Sequence, residues 1–145
     1  MPIIHDDAFR AWEACAPTSF QGDLIWRFHA YRVALYLVDL AASDARGLHA
    51  RRCSNDRVDQ LVRAVGSISA NVSAGFGRSR PADRARFFGI ALGSLREGLS
   101  WYRALRADLP DGVAETRFEQ LSELRRILIG AQKWLATKPT RSHLV

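Results

Sequence analysis

Apolar residues recur at spacings of three and four over four long stretches of the chain, and no stretch alternates with period two for long enough to make a strand. The first stretch predicts a helix from Asp23 to about Ser43, with Asp23 after Gly22 as its N-cap. A polar connection follows, from Asp44 through Cys53. The second helix begins near Ser54 or Asn55, both good caps, with Asp56 in its first turn. It ends at Gly75-Phe76-Gly77, where a glycine can take the left-handed conformation that closes a helix. The third opens at Ser79-Arg80-Pro81 and reaches about Leu109. Pro110-Asp111-Gly112 is a turn, and the fourth helix runs from about Ala114 to Thr137, before Pro139. A short helix is predicted around Asp7 to Ala14. The chain thus divides into an N-terminal extension (1–22), a helical domain (23–138) and a C-terminal tail (139–145). The fold expected is all-α, an antiparallel up-down-up-down four-helix bundle.

The second helix carries one seam, Val58, Leu61, Val65, Ile68, Val72 and Phe76, and the fourth carries Leu121, Leu124, Leu128, Ala131 and Leu135. The first helix differs. Leu24, Phe28, Tyr31, Leu35 and Val38 form one stripe, and Trp26, Val33, Leu37 and Leu40 form another on roughly the opposite flank. A helix in a four-helix monomer turns one side to the core, so the second stripe is expected to be buried by another copy of the chain. In the third helix Phe88, Leu92, Leu95, Leu99 and Tyr102 make the inner seam, while Phe87, Ile90 and Trp101 widen the apolar arc. Its glycines Gly89, Gly93 and Gly98 are read as sites of close backbone approach. The predicted self-association surface is therefore Trp26, Val33, Leu37, Leu40, Phe87, Ile90 and Trp101. Trp26→Glu with Leu37→Glu is expected to disperse the oligomer and keep the helices.

Length and composition narrow the function. At 145 residues the chain holds one domain of ordinary size, able to bury a core without disulfides or metal. Hydrophobic residues make up 48% and charged residues 25%, which excludes a disordered chain, and no apolar run approaches a membrane span. The opening Met1-Pro2-Ile3-Ile4-His5-Asp6-Asp7 lacks the order of a signal peptide, so a cytoplasmic protein is expected. Cys15 and Cys53 are read as free thiols. The four histidines, His5, His29, His49 and His143, show no zinc-binding spacing. Neither a metal nor a cofactor is expected.

Charge changes the picture. Of 21 basic residues all but Lys133 and Lys138 are arginine, and the net charge is +6. Between Arg46 and Arg86 lie nine arginines, opposed by Asp56, Asp59 and Asp83, an excess equal to the whole net charge. Such a concentrated field favours phosphate or acidic partners. The candidate anion-binding or nucleic-acid-binding residues are Arg51, Arg52, Arg57, Arg63, Arg78, Arg80, Arg84 and Arg86. Gly75-Phe76-Gly77-Arg78-Ser79-Arg80 is no Walker loop, because a helix precedes it and no lysine follows. It does leave a helix N-terminus flanked by arginines. Arg96 and Arg103 share another face of that helix, with Glu97 nearby, and read as a solvated or intersubunit face. No nucleophile has a paired base in sequence, and Asp56, Asp59, Glu115, Glu119 and Glu123 read as helix-dipole or surface charges, so an enzyme is not expected.

The run from Gln60 to Arg78, with Ser67, Asn71, Gly75, Phe76, Gly77 and Arg78 at its marked positions, followed by Phe87 and Ile90-Ala91-Leu92-Gly93-Ser94-Leu95, resembles a known family. These are the bacterial four-helix-bundle proteins first noticed as open reading frames within intervening sequences of 23S ribosomal RNA genes, a group that includes the accessory protein of diversity-generating retroelements. The resemblance covers about residues 23 to 138. It implies a homopentameric ring with a central channel and no catalytic residues, and, through the retroelement proteins, a basic surface that engages nucleic acid and a reverse transcriptase. Ser69 stands where the family commonly has proline, and Ala74 where it has glutamate. The expectation is a non-enzymatic, self-assembling protein whose arginines bind RNA, DNA or a nucleoprotein; the alternative is an interaction scaffold with no nucleic-acid contact.

Overall fold

A computed structural model describes residues 6–137, and among them every regular element is helical. Six α-helices follow one another: α1 Asp7–Ala14, α2 Thr18–Gln21, α3 His29–Ala50, α4 Asn55–Phe76, α5 Pro81–Ala104 and α6 Val113–Thr137. Single 3-10 turns, Leu24–Arg27 and Arg106–Asp108, precede α3 and follow α5. The predicted tail 139–145 and Pro139 lie outside the described residues. Among the described residues no helix is long and apolar enough to cross a membrane.

Both boundaries of α3 differ from expectation, each for a local reason, and α5 ends at Ala104 rather than about Leu109, a separate 3-10 turn following it. Asp23 caps the 3-10 turn, accepting from the Ile25 amide at 3.1 Å, and Phe28 is extended, so α3 starts only at His29. At the other end α3 continues through the polar stretch expected to be a connection. Ala41, Ala45 and Leu48 extend a buried stripe of Ala30, Val33, Ala34 and Leu37 at helical spacing, leaving only residues 51–54 between α3 and α4. The α3–α4 corner is turned by Arg52 in the left-handed region (φ 59°). Gly77 is not left-handed: it ends α4 with φ −74°, a right-handed value. The tighter glycine is Gly75, where an added Cβ would stand 2.9 Å from Phe87 Cβ and from the Phe88 ring. Of the α5 glycines expected at close approaches, Gly89 is the tightest, its added Cβ standing 3.2 Å from Gln132 Nε2; at Gly98 a Cβ would make ordinary contact with Val65 at 3.5 Å, and at Gly93 it would meet nothing within 4 Å.

The four long helices form a circuit, with α4 packed on α3 and α5, and α6 on α5 and α3. The seams predicted for α4, α5 and α6 line the core between them, with Phe76, Leu99 and Ala131 half-buried at its margin. At one pole Phe28, just before α3, stacks on Phe76 at the end of α4 and Phe88 near the start of α5, with centroids 6.0 and 5.6 Å apart. At the opposite pole, near the end of α3, Asp44 accepts bonds from Tyr102 Oη of α5 (2.7 Å) and from Arg117 Nε of α6 (2.8 Å).

The sequence pattern misassigns the second stripe: Phe28, Tyr31 and Val38 of the first do pack against the core, but the centre of the second lies deeper still. Val33 is fully buried and Leu37 is 2% exposed, both inside this chain's own core, so neither can meet a second copy. Tyr31, Leu35 and Val38, expected inward, are half-buried, and Leu24 is 63% exposed. Leu37→Glu would place a carboxylate in the core and unfold the chain rather than disperse an oligomer. The misassignment arises because much of the inner face is alanine, which lets the helices approach closely but gives a weak apolar signal.

The N-terminal arm covers part of what remains. Asp6 caps α1 by accepting from the Ala8 amide. Phe9 is buried against Trp12, His29 and Tyr36. Trp12 stacks on Trp26 and donates its Nε1–H to Asp39 at 2.7 Å, and Glu13 pairs with Arg32 at 2.7 Å.

Candidate nucleic-acid interface

The candidate arginines separate into two groups that the linear sequence does not distinguish. Arg51, Arg52 and Arg57 lie at the start of α4, whereas Arg78, Arg80, Arg84 and Arg86 lie beyond its end. The 22 residues of α4 at 1.5 Å each hold the groups about 33 Å apart. Arg63 is exposed part-way along that helix. The sequence-dense stretch is thus not one patch.

The first group is compensated by its surroundings. Arg51 donates to the Asp108 carbonyl at 3.0 Å, Arg106 pairs with Glu115, and Asp56 and Asp59 share the first turns of α4 with Arg57. The second group has only Asp83 beside it in the loop and the opening turns of α5. Pro81 occupies the first position of α5, where its missing N–H costs nothing, so Arg80 stays extended at the cap. Arg84 folds back to donate its Nε–H to the Arg78 carbonyl at 2.5 Å, bracing the loop. Aromatic faces hold the guanidiniums: Arg78 lies 4.7 Å and Arg86 5.9 Å from the Phe87 centroid, and Arg84 6.0 Å from that of Phe76. Three of the four cations are thereby held against aromatic faces, with Arg80 beside them at the cap of α5.

Beside this group an apolar slot of about 270 Å³ opens between Phe28, Phe76, Phe88, Arg84, Trp134 and Leu135. Trp134 at its rim is 56% exposed. Sequence reasoning missed this residue, although it stands beside the α6 seam, next to Leu135. A second hollow, about 390 Å³, lies between the arm and α3, bordered by Trp12, Cys15, Phe20, Trp26, Val38 and Asp39.

Of the predicted self-association residues, Val33 and Leu37 belong to the core, Leu40 is half-buried against it, and Trp26 is stacked under Trp12. Phe87 is half-buried beneath Arg78 and Arg86. Trp101 is half-buried and within 3.5 Å of Glu97 Oε1 through its indole N–H. Ile90 is 42% exposed on α5. The outward side of α4 adds Val62, also exposed and not anticipated from sequence. Where α4 and α5 meet, Ser67 Oγ and Ser94 Oγ are 2.8 Å apart, and Asn71 donates to the Ser67 carbonyl.

The histidines have other partners than a nucleophile: His49 Nδ1 contacts Asn55 Oδ1 at 3.1 Å and His29 Nδ1 faces Arg32. His5 and His143 lie outside the described residues. Partial burial, with the Asp108 carboxylate alongside, pushes the Cys53 thiol above its usual value, the reverse of activation. Among the described residues no group of three His, Cys, Asp or Glu could hold a metal ion.

Comparison with known proteins places this architecture. A crystal structure from Bacteroides thetaiotaomicron, of a protein with unknown function from the S23 ribosomal protein family, superposes with a TM-score of 0.68. The two chains are 21% identical, and the match covers 72% of this chain and 98% of that one. No curated protein matches. Residues 49–130, from the end of α3 to within α6 and including the second arginine group, match the model of the 23S rRNA-intervening sequence protein family, and the chain belongs to that family.

Proposed function

We propose that this protein is a non-enzymatic, self-assembling four-helix bundle, with up-down-up-down helices, that binds nucleic acid or a nucleoprotein through its pole at residues 76–86. The carrying observation is the set Arg78, Arg80, Arg84 and Arg86, three of them lying over Phe76 or Phe87, in a stretch (76–86) whose one acidic residue is Asp83. Phosphate contacts need such a cluster, since each neutralised phosphate releases counterions and adds affinity. The resemblance to the retroelement accessory proteins favours the same chemistry. Arg51, Arg52 and Arg57, neighboured by acids and a carbonyl, are the weaker surface.

Self-assembly into a ring, five-fold by resemblance, uses the outward face of α4 and α5. Ile90 and Val62 support this by leaving apolar side chains exposed there, at ~25 cal/mol per Å² of apolar surface in water. Light scattering at micromolar concentration tests assembly directly. A monomer mass overturns it, and Ile90→Glu is expected to lower the mass of the wild-type assembly while the helices persist.

Nucleic-acid binding is tested by titrating labelled RNA and DNA at low and moderate salt. Affinity is expected to fall steeply as salt rises, and to drop further in Arg78→Ala/Arg80→Ala than in Arg51→Ala/Arg52→Ala. Absent or salt-independent retention refutes the reading and leaves an interaction scaffold.

A further inference from the structure

We infer that the slot beside the second arginine group receives one unpaired base of a single-stranded nucleic acid, with the adjoining phosphates on Arg78, Arg80 and Arg84. This deepens the binding role proposed above and rests on it. Phe28 stacks between its two neighbours, at 25° to Phe76 and 29° to Phe88, and all three rings line the slot. Leu135 and Ala131 add aliphatic lining, and Trp134, more than half exposed, completes the wall. Arg84 joins slot to loop: it lines the cavity, lies over the Phe76 ring and is bonded to the Arg78 carbonyl.

The occupant follows from two requirements met together. An uncharged apolar side chain would fill the slot but leave the arginines without a counter-charge. A duplex would satisfy the arginines, but its bases are paired and stacked and cannot enter. A single strand brings a phosphate and a π-face within one nucleotide, and every base has such a face, so the slot is tolerant of sequence. Some 270 Å³ admits a planar ring system and not a folded element.

The test uses the whole chain and three fluorescent probes of equal length: oligothymidylate, the same strand with every base removed, and a duplex. Wild type is expected to bind oligothymidylate about tenfold more tightly than the abasic strand, the scale of one stacked base. Trp134→Ala should erase that difference without changing abasic affinity, and Trp134→Phe should restore most of it. Because Trp134 is more than half exposed, its truncation leaves the core in place. Equal wild-type affinity for the based and abasic strands overturns the slot, as does an equal loss for both probes in Trp134→Ala. If none of the three probes binds at low salt, the nucleic-acid reading itself fails, an outcome distinct from binding without base preference.

Discussion

The Asp44 carboxylate ties three helices together, and removing it gives a prediction whose size can be worked out. Arg117 donates Nε–H to Oδ2 at 2.8 Å and Nη2–H to Oδ1 at 3.1 Å, a two-pronged pair whose side chains are 12% and 10% exposed. Tyr102 Oη donates to the same Oδ2. Burial first, and then the Asp44 charge, push the Tyr102 hydroxyl far above its usual range, so it stays a donor at any working pH. Asp44→Ala therefore leaves a guanidinium and a hydroxyl stranded. Breaking a buried pair from one side costs ~3–5 kcal/mol, and most of any loss at the hydroxyl is shared with it rather than added. That is a large part of the ~5–15 kcal/mol that stabilises an ordinary domain. Urea titration at fixed protomer concentration measures it as a shift in midpoint at constant slope. Adding Arg117→Met removes the stranded charge, so the double variant should regain most of the loss. A cost below ~1 kcal/mol for Asp44→Ala would refute the reasoning, since surface pairs are worth that little. So would a double variant that loses the sum of the two single effects.

Three further outcomes are expected. Gly75→Ala should destabilise by ~1–3 kcal/mol through overpacking on Phe87 and Phe88, whereas Gly66→Ala, with open space around its new methyl, should stabilise by up to ~1 kcal/mol; thermal melts that rank them otherwise contradict the packing. Phe9→Ala should detach α1, so that amide exchange quickens across residues 7–14 while α4–α6 stay protected, because the arm rests chiefly on α3; uniform loss of protection would make the arm part of the core. Burial, then the Arg32 charge, hold the His29 imidazole below its ordinary value near 6.5. As pH falls through that value the unfolded chain takes up a proton that the native state refuses, so stability is full above about pH 6.5 and declines below it. His29→Gln should flatten the decline seen in urea titrations over that range.

Much of the helical frame is legible in the sequence because α4, α5 and α6 carry large aliphatic residues on one face: Val58 to Val72, Phe88 to Leu95, and Leu121 to Leu135. α1 follows as readily from Asp6 and the Phe9–Trp12 spacing. The pattern misleads on α3, whose inner face interleaves Ala30, Ala34, Ala41 and Ala45 with Val33, Leu37 and Leu48, while Tyr31, Leu35 and Val38 are only half-buried at its margin. Asp44 compounds this. It reads as the start of a loop, yet its charge is answered by Arg117, 73 residues away, a pairing no local window contains. The site was half legible for a similar reason. Arginine density along the chain is real, but a straight helix carries neighbours in sequence to opposite poles, and only the pairing of helix ends assembles Phe28, Phe76, Phe88 and Trp134 around Arg84.

The spacing enforced by α4 sets what a counterion measurement on this protein can return. A short single strand that engages one pole displaces ions from about four phosphates, and the logarithm of its affinity should fall against the logarithm of salt with a slope of about −3. Engaging all eight candidate arginines would require a strand that reaches across the 33 Å between the groups, at a slope of about −6. Lengthening the oligonucleotide should therefore produce a step in slope, and the length at which it occurs gauges the helix from outside.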